Sequence, residues 1–446
     1  MAIFSKPLPL KEARLLVTGA RHNRPAPYPG IGDFLGWPGG IDRLPNGDLL
    51  VVHSSGYWHS SFAQPRQIEP GLAKRWRAEG WPLDFPAPTG GRTMACRSTD
   101  GGKTWSKPFT ILDHRLDDGA HAIVTLPSGR VICLIGVQAS WYGYNRAPKG
   151  FEKDIDGLNT KQFVIHSDDN GKTWSKPRGL KSPGNFYERC HGGRPVVLSD
   201  GSLIWATYYQ VRGEKFLRGA IRRSTDNGLT WPVISTIIRK DNNLDEPAIA
   251  ELKDGRIVLV TRPDAAIFHS SDKGVTWKDS GSRIITGGGK FKAPQLVTLE
   301  DGTLVAIATW RNLRAWISRD GGLTWTKDLP LDVGSYGYPG SYILDSDGSI
   351  LFPYCGSGRA PNQVYLLRFQ VNKTRTGVKL LPVTKLKEIT IDPVESKTQP
   401  SPDPVGSVNQ ALSHYRKGTL CHSKQLEAFP SKVDPAARYR CVAARV

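Results

Sequence analysis

Ser318-Arg319-Asp320-Gly321-Gly322-Leu323-Thr324-Trp325 is one of five copies of a single pattern, Ser-x-Asp-x-Gly-x-Thr-Trp. The others run Ser98–Trp105, Ser167–Trp174, Ser224–Trp231 and Ser270–Trp277, and none carries a mismatch. Five fixed positions at average residue usage should match about once per million starting points, so five copies mark an internal repeat. The residue types are those of a hairpin turn. Asp accepts hydrogen bonds from the turn backbone, Gly supplies a positive φ, Ser and Thr complete the local bonding, and Trp packs beneath. The pattern is therefore read as scaffold, with no catalytic or metal-binding role.

Upstream of this copy, Leu296-Val297-Thr298-Leu299-Glu300-Asp301-Gly302-Thr303-Leu304-Val305-Ala306-Ile307 is two apolar runs joined by Asp-Gly, a strong short hairpin signal. Equivalent turns fall at Gly47, Gly129, Gly201, Gly255, Gly302 and Gly348. Six hairpins alternate with five Asp turns, the sixth turn having been lost. Each unit reads as hairpin, third strand, Asp turn, fourth strand. Six such units of about 45 to 80 residues predict an all-β, six-bladed β-propeller with four-stranded blades. Gln363–Phe369 is the expected last strand of the sixth unit, and Ala13–Val17 the N-terminal strand that closes it. Segments 55–95 and 139–160 are irregular and aromatic, and are read as long loops. The propeller is assigned to residues 10–371. Residues 372–446 form a basic C-terminal extension that adds a strand or two between Val378 and Ile391 before losing order.

The chain of 446 residues has a net charge of +19, and after Val371 it carries 13 Lys/Arg against 6 Asp/Glu. No Lys/Arg run is interleaved with aromatics, which disfavours nucleic acid; an anionic glycan suits the charge better. No apolar stretch approaches a membrane span. The N-terminus lacks the apolar core of a secretory signal, leaving the compartment open between cytoplasm and export with processing. The six cysteines, Cys96, Cys133, Cys190, Cys355, Cys421 and Cys441, show no CxxC pair and are read as free thiols. No metal or organic cofactor is implied.

In a propeller the innermost strands begin around the central channel, on the face opposite the Asp turns. Counting ten residues back from each turn glycine gives Trp37, Gly119, His191, Asp245, Lys292 and Tyr338, with Asp118, His121, Arg194, Glu246 and Gln295 beside them. The inner strands lead on to His53, Tyr208, Arg262, Trp310 with Arg311, and Tyr354. His, Arg, Glu, Lys and Tyr converging on one mouth suit a polar, anionic sugar.

Over about residues 10–370 the repeats resemble the sialidase superfamily of Asp-box (BNR-repeat) proteins. That resemblance implies a tyrosine nucleophile activated by a glutamate, and arginines that grip a substrate carboxylate. Leu244–Gly255 followed by Arg262 resembles the family's Glu…Arg segment, and Tyr336-Gly337-Tyr338-Pro339-Gly340-Ser341 its tyrosine segment. The resemblance thus makes Tyr338 and Glu246 the nucleophilic pair and Arg262 and Arg311 the clamp. Blade one departs from the family. Gly36-Trp37-Pro38-Gly39-Gly40 stands where an Arg-Ile-Pro motif is expected, and Pro88–Met94 lacks the acid/base aspartate. His121 or His191 is the expected substitute proton donor, since imidazole titrates near neutrality. Trp37 is read as a sugar-stacking platform, with His53, Asp118, Arg194, Lys292 and Gln295 as further substrate contacts.

Each residue also has a plainer reading: a strand-end histidine, an ion pair between Glu246 and Arg262, a packing tyrosine, a rim lysine. Three functions stay open: an exo-acting glycoside hydrolase on an acidic or modified sugar, a uronate lyase using His121, His191, Tyr208 and Arg194, and a non-catalytic carbohydrate-binding propeller.

Overall fold

The computed structural model describes residues 13–19, 34–56, 92–112, 117–138, 160–184, 187–189, 193–211, 213–285, 290–333, 337–355 and 363–383. It is an all-β, six-bladed propeller. The N-terminal strand β1 (Arg14–Gly19) belongs to the last blade. Blade one is β2 (Phe34–Arg43), β3 (Leu49–Gly56), β4 (Arg92–Ser98) and β5 (Phe109–Leu112). Blade two is β6 (Asp117–Thr125), β7 (Val131–Gln138), β8 (Thr160–Ser167) and β9 (Arg178–Gly179). In blade three, β10 (Tyr187–Arg189) and β11 (Val196–Val197) both pair with β12 (Leu203–Gln210), followed by β13 (Arg218–Ser224) and β14 (Val233–Ile237). A parallel pair, Tyr187 with Thr160, joins blades two and three into one sheet.

Blade four is β15 (Asp245–Glu251), β16 (Ile257–Arg262), β17 (Ala266–Ser270) and β18 (Lys278–Arg283). Blade five is β19 (Lys292–Thr298), β20 (Leu304–Trp310), β21 (Asn312–Ser318) and β22 (Leu329–Asp332). Blade six is β23 (Gly337–Pro339) with β24 (Ile343–Leu344), then β25 (Ser349–Cys355) and β26 (Gln363–Val371). Its outermost position is shared: β1 pairs with residues 363–367 of β26, while β27 (Val378–Leu381) pairs with residues 368–371. The N-terminal strand thereby closes the ring, as its apolar run predicts.

Three strands, β3, β4 and β8, start earlier or run further than the loop boundaries read from sequence. β3 extends to Gly56 because Ser55 pairs with Arg92, so the third strand begins inside the segment taken as loop. Most of that insertion (57–91), the second one (139–159) and the stretch beyond residue 383 lie outside the described residues.

The period-2 strands have apolar side chains on both faces, because each blade is covered by two neighbours. On β3, Leu50 and Val52 pack toward blade two, while Leu49 and Val51 pack toward blade six. The described core comprises six apolar clusters, one at each blade–blade contact. Near the axis the ring closes through backbone: Ile41 N donates to Ser341 O (3.0 Å) and Ser341 N to Gly39 O (3.1 Å). Such proximity needs glycine. A Cβ on Gly39 would lie 2.6 Å from Ala120 Cβ, and one on Gly40 would overlap Ser341 Oγ at 1.6 Å.

All six hairpin glycines adopt φ between +75° and +89°, and each donates its N–H three residues back at 2.8–2.9 Å. All five Asp turns share one bonding scheme. The Ser hydroxyl donates to Asp Oδ1 (2.7–2.8 Å) and accepts from the Gly N–H (2.8–2.9 Å), while the Thr hydroxyl donates to Asp Oδ2 (2.5–2.6 Å). These turns lie on the face where the inner hairpins also turn, away from the starts of the inner strands.

Candidate functional site

The inner strands of blades four, five and six each begin with a bulge. At each bulge one non-glycine residue is in the left-handed region: Glu246 (φ 41°), Ala293 (φ 48°) and Tyr338 (φ 76°). Such backbone is costly for L-residues and persists where surrounding structure enforces it. It re-aims the bulged residue out of the strand's alternation, and at two of the three positions that residue carries an ionisable side chain.

Tyr338 Oη donates to Glu246 Oε1 at 2.7 Å. Arg262 Nη1 donates to the same Oε1 at 2.6 Å and lies 3.3 Å from Tyr338 Oη. The other carboxylate oxygen accepts the backbone N–H of Ala293 at 2.7 Å, and Tyr338 N donates to Thr309 Oγ1 at 2.7 Å. The Glu246 side chain is only 4% exposed and that of Arg262 21%. Burial is the largest influence on the guanidinium and works against its charge. Glu246, Tyr338, Asp245 and Tyr208 together outweigh it and hold Arg262 above its ordinary pKa. Arg262 Nε faces Asp245 at 3.5 Å, and Nη2 makes no hydrogen bond among the described residues.

The arrangement aims a phenol proton at a carboxylate fixed by two other donors. A hydroxyl adjacent to a base is the geometry of an activated nucleophile.

The remaining predicted residues are placed as follows. Arg311 is in the left-handed region (φ 63°) at the hairpin between β20 and β21. It is exposed, with its guanidinium 4.8 Å from the Trp310 ring centroid. Lys292 pairs with Thr309 at the start of β19, on the same mouth. Gln295 is buried deeper, its Nε2 donating to Pro339 O across the blade boundary at 3.4 Å. Arg194 joins none of these groups: it reaches from blade three to Tyr342 O of blade six at 2.6 Å.

His53 is completely buried, and burial pushes its pKa down to about 4. His121 is buried against Gly136, where an added Cβ would meet the ring at 2.1 Å. Both imidazoles are packed within blades. The side chains of Trp37 and Asp118, and all of His191, lie outside the described residues.

The residue count from the turn glycines missed two contributors. The Ala293 N–H is a backbone donor that no side-chain pattern reveals. Thr309 stands seven residues after Gly302, the offset of Arg262 from Gly255, and could have been found by that equivalence. Asp245 emerged from the count, but its pairing with Arg262 did not.

A family model described as a BNR repeat-like domain matches residues 141–351, and one described as a BNR/Asp-box repeat matches residues 97–107. A sialidase of Clostridium perfringens is 29% identical over 218 residues, 44% of this chain and 55% of that protein. A sialidase of Bacteroides fragilis is 28% identical over 284 residues, 56% of this chain and 52% of that protein. Among solved structures, a protein of unknown function from Dyadobacter fermentans superposes with a TM-score of 0.59 at 17% identity, covering 83% of this chain and all (100%) of that one. A variant of the NanB sialidase from Streptococcus pneumoniae gives 0.55 at 15% identity, covering 82% and 72%. The chain belongs to the sialidase-like BNR-repeat superfamily. It spans about half the length of these two curated sialidases. At these identities the solved sialidase-like structures speak to the propeller alone, and the chemistry of this superfamily member is argued from its own residues.

Proposed function

We propose that this sialidase-like propeller is an exo-acting glycoside hydrolase for an acidic or modified sugar, with Tyr338 as nucleophile and Glu246 as its base. The observation that carries the reading is the 2.7 Å hydrogen bond from Tyr338 Oη to Glu246, with Arg262 donating to the same oxygen. Glu246 takes the phenol proton as Tyr338 attacks the anomeric carbon and the glycosidic C–O bond breaks, the aglycone oxygen leaving with a proton taken from solvent. The intermediate is an aryl glycoside; water then displaces the tyrosine oxygen, Glu246 returning its proton to Tyr338 and the water's proton passing to solvent. Arg262 stabilises charge on both partners, and its Nη2, which makes no hydrogen bond among the described residues, offers donors to an anionic substituent together with the exposed Arg311. A neutral phenol opposite a carboxylate also suits a site that meets positive charge developing on a sugar ring.

The test is a Tyr338→Phe variant assayed on sialosides, uronides and rhamnosides with product analysis. Turnover should fall at least about 10³-fold, with circular dichroism and ligand binding unchanged. Full activity in this variant would overturn the assignment. Products absorbing in the near ultraviolet would instead show an unsaturated uronate, hence lysis. Glycan binding by the wild-type protein without any product would leave a binding propeller.

A further inference from the structure

Tyr338 is the extra residue of its bulge. On β23, Gly337 pairs with Cys355 and Pro339 with Tyr354, so the ladder passes over Tyr338. A residue passed over in this way has no ladder partner for its backbone N–H, and left-handed backbone lasts in a tyrosine only where the surroundings impose it.

The partner comes from the neighbouring blade. Tyr338 N donates to Thr309 Oγ1 at 2.7 Å, and Thr309, the penultimate residue of β20, is buried. The approach is close: a Cβ on Gly337 would lie 2.6 Å from the same oxygen. Glycine at 337 thus lets the bulge come down onto the hydroxyl, and the hydroxyl receives the amide that follows.

Thr309 also stands behind the other half of the pair. It is registered with Lys292 at the start of the β19 bulge, and the next residue, Ala293, donates its N–H to Glu246 Oε2 at 2.7 Å. One buried residue is therefore bonded to the backbone that aims the phenol and paired with the strand start that fixes the carboxylate. The 2.7 Å bond from Tyr338 Oη to Glu246 Oε1 depends on both placements. A misplacement of about 1 Å at a reacting group can cost on the order of 10²-fold in rate.

We propose that Thr309 is a positioning residue, its hydroxyl holding the Tyr338 bulge so that the phenol meets Glu246. This rests on the reading of Tyr338 as nucleophile, and adds to it a group that acts through the Tyr338 backbone.

The experiment compares Thr309→Val, which keeps the branched shape and loses the acceptor, with Thr309→Ser, which keeps the acceptor. Both are set beside Tyr338→Phe in steady-state kinetics and residue-resolved amide exchange. Thr309→Val should lower kcat at least about 10-fold with KM within about twofold of wild type. Exchange of the Tyr338 amide should quicken at least about 10-fold while the amides of the β20 ladder keep their protection. Thr309→Ser should restore both. Thr309→Ala removes the same oxygen and carries the test if Thr309→Val does not fold. Unchanged exchange at Tyr338 in Thr309→Val would overturn the proposal. So would a freed amide with wild-type kcat while Tyr338→Phe is inactive, or a loss in Thr309→Ser equal to that in Thr309→Val, which would assign the effect to packing. Full activity in Tyr338→Phe, or no turnover by the wild type, instead overturns the hydrolase reading, and exchange at Tyr338 still decides whether Thr309 holds the bulge.

Discussion

The two faces of this propeller use the same polar residue types to opposite ends. On the turn face, each Asp-box carboxylate is bonded by Ser and Thr within four residues of it, as in Asp100 with Ser98 and Thr104. On the other face, Glu246 takes its partners from 16, 47 and 92 residues away, in three different blades. Local satisfaction makes a rigid turn that can be repeated five times. Distant satisfaction places the proposed catalytic carboxylate where only the closed ring can hold it. Scaffold and chemistry therefore differ in the range over which a carboxylate finds its donors.

That contrast breaks most sharply at Glu246. Glu246→Gln keeps the shape but removes the proposed base and the charge that Arg262 faces. Expected is a loss of at least about 10³-fold in kcat, together with a lower Tm, since removing one partner of a buried ion pair costs about 3 kcal/mol. An Asp-box aspartate replaced in the same way should leave kcat unchanged. Steady-state kinetics beside thermal melts separate the two effects.

His53 tests whether blade one has kept a titrating donor. Its folded pKa, near 4, lies below the ordinary 6.5 because burial penalises the charged ring. The unfolded chain therefore binds the extra proton first. His53 costs nothing above pH 6.5, and stability falls as pH drops from 6.5 toward 4, by on the order of 3 kcal/mol. His53→Gln should flatten that segment of the Tm–pH curve. The carboxylate of Asp100, held down to about 2 by its Thr104 hydrogen bonds, acts in a lower window. Its contribution is present above the ordinary carboxylate pKa of about 4 and is lost between there and about 2.

Gly39→Ala probes the closure that holds both faces together. The new Cβ would meet Ala120 Cβ at 2.6 Å, and overpacking of this kind costs about 1–3 kcal/mol. The measurement is a denaturant midpoint, with Gly47→Ala as the comparison, since a Cβ at Gly47 meets no atom within 4 Å and is strained only by its φ of +89°.

The same difference in range explains what could be read beforehand. The Asp turns and Asp-Gly hairpins are local, so their spacing alone specified six blades and the closing strand. Glu246, Arg262 and Tyr338 could be nominated because each sits at a fixed offset from a hairpin glycine and resembles a family segment. Their convergence on one oxygen could not be read, because it depends on left-handed bulges at Glu246, Ala293 and Tyr338 that no residue type announces. Arg194 has a similar offset, yet its side chain crosses the channel to Tyr342, a choice made by packing across the ring. Gly39 and Gly40, which sequence placed beside a sugar platform, are accounted for by backbone contact with Ala120 and Ser341.

The smallest expected effect is at a single Asp box. Asp320→Ala removes the acceptor of the Ser318 and Thr324 hydroxyls and of the Leu323 and Thr324 N–H groups. Three of those donors are at the surface, where water replaces the lost partner, and the buried Ser318 hydroxyl keeps its bond from the Gly322 N–H, so the cost should be about 1 kcal/mol and not the sum of four bonds. Because blades bury their apolar faces against neighbours, the loss should remain within blade five. Hydrogen exchange should then quicken in the Asp320 turn while protection in β15 and β16 stays unchanged. Exchange that quickens equally around the ring would mean that the turns are coupled through the blades, and that local satisfaction is the wrong description of the scaffold face.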